Sequence, residues 1–482
     1  MMKHTTLIII SIFICHLSSF GQIDTVILNP QASHMFPSLP VKSSYTSLFD
    51  HRPGMDYVYS ANMEFGLGIY DISVPNTITP VLNIPVTTFD NLDVSTIEQR
   101  GNSLFVGIGD FQVSTNSAGG LAILDISNPS MPVIKDIWDS TLFTHGISHL
   151  LIEGDHVYLS TMVDGIMILN IADENNIYFE SHLQPDLTFP QTSSPNAHNA
   201  RGLKLRNDSL YLCFDRGGVR LIDVTDKSNP VEVYKYMNNN LNSQAGAAYN
   251  DIALKGNRAY VSVDYCGLEV LDISTVPFTS IQWFNPWGCS FLNWSGAALH
   301  TNEVMLASGD SLLFVSAGQS DLFVFDVTNP VVAFKVGQLT DVNDTLATHG
   351  LDVFDDRVVL SFLRTPFHIP PLTPFYADPG GLKILSYEII NTTGLEEQSD
   401  NVETSGIIVF PNPAKDGVIE VRCKDIIRSI TVYNTMGQVI TEMKRIEGTN
   451  QRVVLPENSN GYYFIKVVSS SGIFFQKVVM IK

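Results

Sequence analysis

Short apolar runs, each opened by a glycine and most closed by an acidic or amide residue, recur along this chain at a spacing far wider than any helical period. The copies are Gly66–Asp71, Gly120–Asp125, Gly165–Asn170, Gly218–Asp223, Gly267–Asp272, Leu322–Asp326 and Gly381–Ser386. β-branched and aromatic residues dominate a second run just before each copy, as in Tyr57–Ser60, His156–Ser160 and Arg258–Ser262. Such residues suit strands. Tight polar turns precede these runs, for example Glu153-Gly154-Asp155 and Lys255-Gly256-Asn257, where glycine with Asn or Asp supplies the positive φ of a hairpin turn. After each copy a turn such as Ser127-Asn128-Pro129 or Thr328-Asn329-Pro330 leads to one more short apolar strand.

Four strands repeated seven times at a period of about 50 residues predict an all-β, seven-bladed β-propeller over residues 22–388. Radial packing of such blades leaves only short, protected strand edges. The seventh repeat has no fourth strand after it, and the apolar stretch Thr25-Val26-Ile27-Leu28 is predicted to supply it from the other end of the chain. The aspartates Asp71, Asp125, Asp223, Asp272 and Asp326 read as structural acceptors for the amides of the following turn, with Asn170 and Ser386 standing in for them.

Residues 389–405 are polar and apolar-poor, as a linker would be. Beyond them, alternating strands at Val418–Cys423, Ser429–Tyr433, Gln451–Leu455, Tyr462–Val468 and Phe474–Met480 predict a small C-terminal β-sandwich over 406–482.

Two stretches of wording carry resemblances. The Leu/Val-x-Ile/Val-x-Asp-Ile/Val-Ser/Thr string, most literal in Leu121–Asp125 and Leu322–Asp326, resembles the LVIVD repeat of bacterial surface propellers. The segments Val409–Ala414, Val432–Gln438, Gly461–Val467 and Gln476–Val479 resemble the type A C-terminal sorting domain of the type IX secretion system, with Pro411, Asn412, Pro413, Gly437, Gly461 and Lys477 as its motif residues. That resemblance implies export through the periplasm of a Gram-negative cell and across its outer membrane. It also implies partners: the secretion machinery and a sortase-like peptidase that removes the module, leaving the cargo anchored or released. Pro411 and Pro413 exclude helix, and Gly437 and Gly461 suit left-handed turns.

The other end of the chain agrees with export. Lys3 precedes an apolar run, Leu7–Cys15, and small residues at Ser19 and Gly21 suit cleavage before Gln22, so residues 1–21 read as a signal peptide. Ile14 is too large for a lipoprotein box at Cys15. No transmembrane segment is expected elsewhere.

A net charge of −21 makes nucleic acid a poor partner. Cys213, Cys266, Cys289 and Cys423 are widely spaced, with neither a CxxC pair nor metal spacing, so they read as free buried thiols. No cofactor and no metal site is expected, although the acidity suits a divalent cation as a companion.

The chain lacks a Gly-x-Ser-x-Gly elbow, a His-Glu-x-x-His pair and a phosphate-binding loop. Candidate chemistry therefore rests on loops and channel. Trp283, Trp287 and Trp294 cluster after the fifth repeat, and aromatics of this kind stack on sugars. The insertion around Phe367, His368 and Tyr376, stiffened by prolines, lies in the seventh repeat. His145, His149, His198 and His349 precede or begin the first strands of their repeats, with Arg201 and Asp251 in comparable places, so their side chains are expected to line the channel. These residues predict an exported binding or adhesion module for a glycan or protein ligand. The alternatives are an exported propeller enzyme, such as a polysaccharide lyase or hydrolase, and a structural envelope protein.

Overall fold

The computed structural model describes residues 23, 25–37, 40, 42–109, 118–191, 197–242, 244, 247–285, 289, 301–318, 321–339, 345–367, 375–390, 407–412, 414, 417–433, 439–455, 461–470 and 473–480. The chain divides into two compact units, 1–394 and 395–482. The signal-peptide reading of residues 1–21 lies outside the described residues, as does most of the linker.

In the first unit the described residues form seven four-stranded antiparallel sheets, each with its strands in consecutive order save the last. The first runs Thr46–Phe49, Tyr57–Ala61, Leu67–Asp71 and Thr79–Ile84, and the five that follow repeat the pattern. The first strands of the seven sheets are Thr46–Phe49, Val94–Arg100, His149–Glu153, Leu203–Arg206, Tyr249–Lys255, Thr301–Leu306 and Ala347–Phe354. Each touches the next, and Ala347–Phe354 touches Thr46–Phe49, which closes the ring.

The seventh sheet is completed as expected from the opposite end of the chain. Thr25–Met35 pairs antiparallel with Gly381–Ile390, in a register from Thr25 opposite Ile390 to Met35 opposite Gly381, with a bulge between Pro30 and Ala32. The strand is longer than the four apolar residues that predict it, and its partner runs to Ile390, into the start of the expected linker. Val26 is buried beside Phe314 and Val324 of the sixth sheet, and Phe36 is buried with Phe49, Val58 and Tyr70 of the first.

The repeated glycine is required twice over. Gly66, Gly165, Gly218 and Gly267 all have φ between 81 and 84°, a left-handed region that side chains avoid. A Cβ at Gly66 would lie 2.0 Å from Ile84 O, and one at Gly218 the same distance from Tyr236 O, both carbonyls at the end of the adjacent fourth strand. The glycine thus lets the third strand start hard against the fourth. At the other end of the third strand the aspartates act as the sequence suggests: Ser73 N donates to Asp71 Oδ1 at 2.7 Å, Ser127 N to Asp125 at 2.7 Å, Thr225 N to Asp223 at 2.8 Å, Ser274 N to Asp272 at 2.9 Å and Thr328 N to Asp326 at 2.8 Å. Asn170 does the same for Ala172 N at 3.0 Å. Ser386 departs from the pattern: it lies inside the long strand Gly381–Ile390, and its hydroxyl accepts from Gln31 Nε2.

Second and third strands are almost wholly buried, while fourth strands alternate between exposed and half-buried residues. Apolar side chains of adjacent sheets interdigitate, as where Phe105, Leu121 and Ile123 meet Leu150, Val157 and Met167. Removal of such area from water is the main stabilising term.

The cysteine reading is corrected. Cys213 and Cys423 are free and buried, but Cys266 and Cys289 form a disulfide with a Cα–Cα distance of 4.3 Å. The bond ties the turn between the second and third strands of the fifth sheet to the segment leaving its fourth strand. Spacing along the chain hides this pair because only the folded sheet brings the turn and the exit together.

The second unit has sheets of three and four strands. The three-stranded sheet contains Ile407–Phe410, Val418–Cys423 and Asn450–Val454; the other contains Ile427–Tyr433, Val439–Lys444, Gly461–Ser469 and Ile473–Met480. Val409, Ile419 and Val453 from one sheet and Ile430, Val432, Ile465 and Val478 from the other share one buried core. Gly461 is corrected from a turn residue to the first residue of a strand, opposite Met480. Asn412 Oδ1 accepts Val479 N at 2.8 Å, and Lys477 stands opposite Phe464. Pro411 lies in the bend after Ile407–Phe410, while Pro413 and Gly437 lie outside the described residues.

Candidate functional site: the channel of the ring

The seven first strands surround the ring axis, and every sheet sends a polar group toward the same set of charges. Thr46 comes from the first sheet, Glu98 from the second, His149 from the third, Lys204 from the fourth, Asp251 from the fifth, Glu303 from the sixth and Asp352 from the seventh.

Glu303 is held from two sheets: its Oε1 accepts the Thr46 hydroxyl at 3.0 Å and its Oε2 accepts Leu351 N at 2.8 Å. Burial pushes its carboxyl up to about 8, the Asp251 charge adds to the rise, and the Leu351 N–H, the Thr46 hydroxyl and Lys204 pull against it. His149 is pushed down to about 4 by burial, with Lys204 reinforcing and Asp251 opposing. Burial also raises Glu98, with Asp352 adding to it and Lys204, the Gln99 amide and His51 opposing. These side chains are partly exposed along the axis, yet protein surrounds them on every side, so desolvation dominates. Burial thus favours the uncharged imidazole of His149 and the protonated carboxyl of Glu303 at neutral pH.

Asp352 faces the end of the first sheet. Its Oδ2 accepts Phe49 N at 2.8 Å and lies 2.9 Å from His51 Nε2, whose ring stacks on Phe354 at 4.7 Å. Burial works against protonation of His51, but the Asp352 hydrogen bond and the Asp352, Glu98 and Asp50 charges raise its pKa overall.

The Glu303 carboxyl carries a pH signature. A folded state that keeps its proton to about pH 8 while the unfolded chain releases it near 4.5 binds more protons across that window, so this group makes stability fall as pH rises from 4.5 to 8. Glu303→Gln is expected to flatten that slope and to melt above wild type at pH 8. Parallel thermal melts at pH 5 and pH 8 check this, and an unchanged pH slope counts against it.

The predicted histidines have different partners. His145 Nδ1 lies 3.0 Å from Asp164 Oδ2. His198 is fully buried, stacked on Phe214 at 5.7 Å, and its pKa is lowered by burial and by the Arg220 charge. His349 Nδ1 lies 3.1 Å from Tyr45 O. His149 alone of the group joins the channel charges, with Asp251. Position within a repeat locates a side chain only to the start of a first strand; the pleat and the bulges at Thr96, Asp251 and Val304 decide which residue faces the axis. Glu98, Lys204 and Glu303, one within each first strand, are the residues that sequence reasoning passed over. Alternation along the three first strands was the available signal.

The described aromatic candidates belong to other strands. Trp283 lies in the exposed fourth strand of the fifth sheet, 36% exposed, and its Nε1 donates to Cys266 O at 2.6 Å. Phe367 and Tyr376 belong to a two-stranded ribbon, Thr365–Phe367 with Phe375–Ala377, in the seventh sheet's insertion, where a loop was expected. Trp287, Trp294 and His368 lie outside the described residues. Among the described residues no three His, Cys, Asp or Glu side chains gather as a metal-holding group, and no helix is long and apolar enough to cross a membrane.

Comparison with known proteins bears on both units. The family described as "LVIVD repeat" matches residues 113–140, 197–238 and 245–276, and the "Secretion system C-terminal sorting domain" matches 408–482. Comparison with curated proteins yields no match. Among solved structures, the RRP9 WD40 repeats align with a TM-score of 0.50 at 11% identity, covering 75% of this chain and 100% of that one. A β-propeller domain from Myceliophteria thermophila aligns with a TM-score of 0.48 at 11% identity, covering 74% and 99%. At such identity the likeness to the WD40 structure is one of fold alone. The chain is therefore an LVIVD-repeat β-propeller that ends in a secretion system C-terminal sorting domain.

Proposed function

We propose that this protein is carried by type IX secretion to the surface of a Gram-negative cell or into its surroundings, where the propeller acts as a binding module. The observation that carries the reading is the pairing of a sorting domain at 408–482 with a closed ring of sheets. The Cys266–Cys289 disulfide supports export, since such bonds persist in oxidising compartments. The polar channel supports ligand binding, and the aromatic residues Trp283, Phe367 and Tyr376 enter the reading as contacts for a sugar or protein surface outside it. The partners proposed are the secretion machinery, a sortase-like peptidase and an extracellular glycan or protein.

Deleting residues 406–482 is expected to leave the propeller in the periplasm of a host that has this machinery. Fractionation of wild type and deletion variant checks it: efficient surface display or release of the shortened chain would defeat the assignment. The full chain, applied to glycan and extracellular-protein arrays beside Trp283→Ala, tests the binding half, and the absence of any retained partner would count against it.

A further inference from the structure

The three-stranded sheet of the sorting unit has one face in its core and one face in solvent. Directly opposite residues of paired strands stand on the same face, so the register puts Phe410, Glu420 and Arg452 in one row across the solvent face and Ile408, Arg422 and Asn450 in the next. Val409, Val421 and Val453 alternate with them and point into the core. Apolar residues are exposed on the outer face: Ile408 is 48% exposed, and Val454, opposite Val418, is 60% exposed. A hollow of 240 Å³ lies here, lined by Phe410, Pro411, Val418, Ile419, Glu420 and Arg452.

The walls of the hollow are fixed by their neighbours. Asn412 Oδ1 accepts Val479 N at 2.8 Å and Ala414 N donates to Val479 O at 2.7 Å, which ties the turn carrying Pro411 to the last strand. The Arg422 guanidinium lies 4.4 Å from the Phe410 ring centre, and its Nη2 is 3.2 Å from Glu420 Oε2. Arg452 differs from Arg422: among the described residues its guanidinium has no carboxylate within ion-pair distance. At 240 Å³ the hollow is smaller than the ~300–1,000 Å³ of sites that enclose small molecules. It suits a single apolar side chain of a protein, the kind of anchor on which interfaces depend.

We propose that this hollow is where the sorting unit is read, by an acidic polypeptide segment of the secretion machinery that sets one apolar side chain against Phe410, Pro411 and Val418 and a carboxylate on Arg452. Charge selects such a partner. Residues 407–482 carry ten Lys and Arg against six Asp and Glu in a chain of net charge −21, so an acidic segment is drawn to this unit and repelled by the rest of the chain. An exposed ion pair alone is worth little. The apolar anchor supplies the affinity, and the planar guanidinium fixes the carboxylate beside it. The idea deepens the secretion reading and rests on it.

The test uses the full chain, expressed in a host that has this machinery, with a photo-crosslinking amino acid placed at Ile408 or, as control, at Val439 in the other sheet, which is 56% exposed. The Ile408 position is expected to yield a protein adduct whose contact peptide is rich in Asp and Glu, and the Val439 position none. Arg452→Glu should cut both adduct yield and exported fraction about tenfold, with an unchanged melting temperature. Val454→Asp, a second exposed change that adds a repelling charge to the same face, should do likewise and decides the matter if the first variant does not fold. Normal export and adduct yield in the folded variants would overturn the proposal, as would equal adducts from both positions, no adduct from Ile408, or an adduct to lipid alone. If these variants are exported normally while deletion of residues 406–482 blocks export, only the hollow is misassigned; export of the deletion variant is what defeats the secretion reading itself.

Discussion

Removal of residues 23–36 is expected to lower the melting temperature of the full chain by about 10 °C or more. Three side chains in this stretch, Ile23, Val26 and Phe36, are 4–5% exposed, and burial of each is worth about 1.5–3 kcal/mol. Their sum, about 5–9 kcal/mol, is comparable with the whole stability of a domain. The segment also does more than complete one sheet. Ile23 N donates to Asp326 Oδ2 in the sixth sheet at 2.8 Å, Thr25–Met35 forms the edge of the seventh, and His34 and Phe36 reach Tyr70 of the first. Taking it away unlocks the ring where its two ends meet and exposes the long edge Gly381–Ile390 to association with other chains. Differential scanning calorimetry checks the loss, and a melting temperature within about 2 °C of wild type would show that the ring closes without it.

Arg220→Ala is the second large effect expected, a loss of about 3–5 kcal/mol. Arg220 is fully buried in the fourth sheet. Its Nη1 pairs with Glu232 Oε1 at 2.6 Å, Nη2 donates to Phe189 O at 2.7 Å and Nε to Gly217 O at 3.1 Å, while the guanidinium lies 5.0 Å from the Phe214 ring centre and 5.3 Å from that of Phe189. Alanine would leave the Glu232 charge and two carbonyls without these donors and open a void beside two rings. Arg220→Lys should not restore the loss, because an ammonium cannot reach three acceptors in a planar fork. Arg220→Met with Glu232→Gln should recover part of it by removing the stranded charge and filling the void. Urea melts of the three variants check the order, and an Arg220→Ala loss below about 1 kcal/mol would mean the ion pair barely repays its own desolvation.

Much of this fold is legible in the chain because the determinants are local and repeated. A glycine at the start of a third strand, an aspartate at its end and a polar turn before each second strand are short-range demands, and repetition makes them visible. The same logic revealed the missing fourth strand of the seventh sheet, since one copy lacked what six possessed. The disulfide, the ribbon of Thr365–Phe367 with Phe375–Ala377 and the start of a strand at Gly461 were not legible, because each depends on which distant segment lies alongside.

The candidate site divides in the same way. Histidines near the starts of first strands drew attention through their recurrence, yet His145, His198 and His349 are engaged by Asp164, Phe214 and Tyr45 respectively. Glu98, Lys204 and Glu303 share no residue type and no motif. What unites them with Asp251 and His149 is convergence on one axis from different sheets, and their altered acidity follows from burial that a linear reading does not contain.

By itself, then, the sequence determined the strand repeat, the turn chemistry between strands, the strand that closes the ring and the sorting module, all of which are written in contiguous residues. The tertiary structure alone decided which polar groups meet in the channel, which histidines are core and which two cysteines pair. The physical reason is that a side chain's partners, desolvation and charge environment are set by residues tens to hundreds of positions away, and a strand's bulges choose the face on which it meets them.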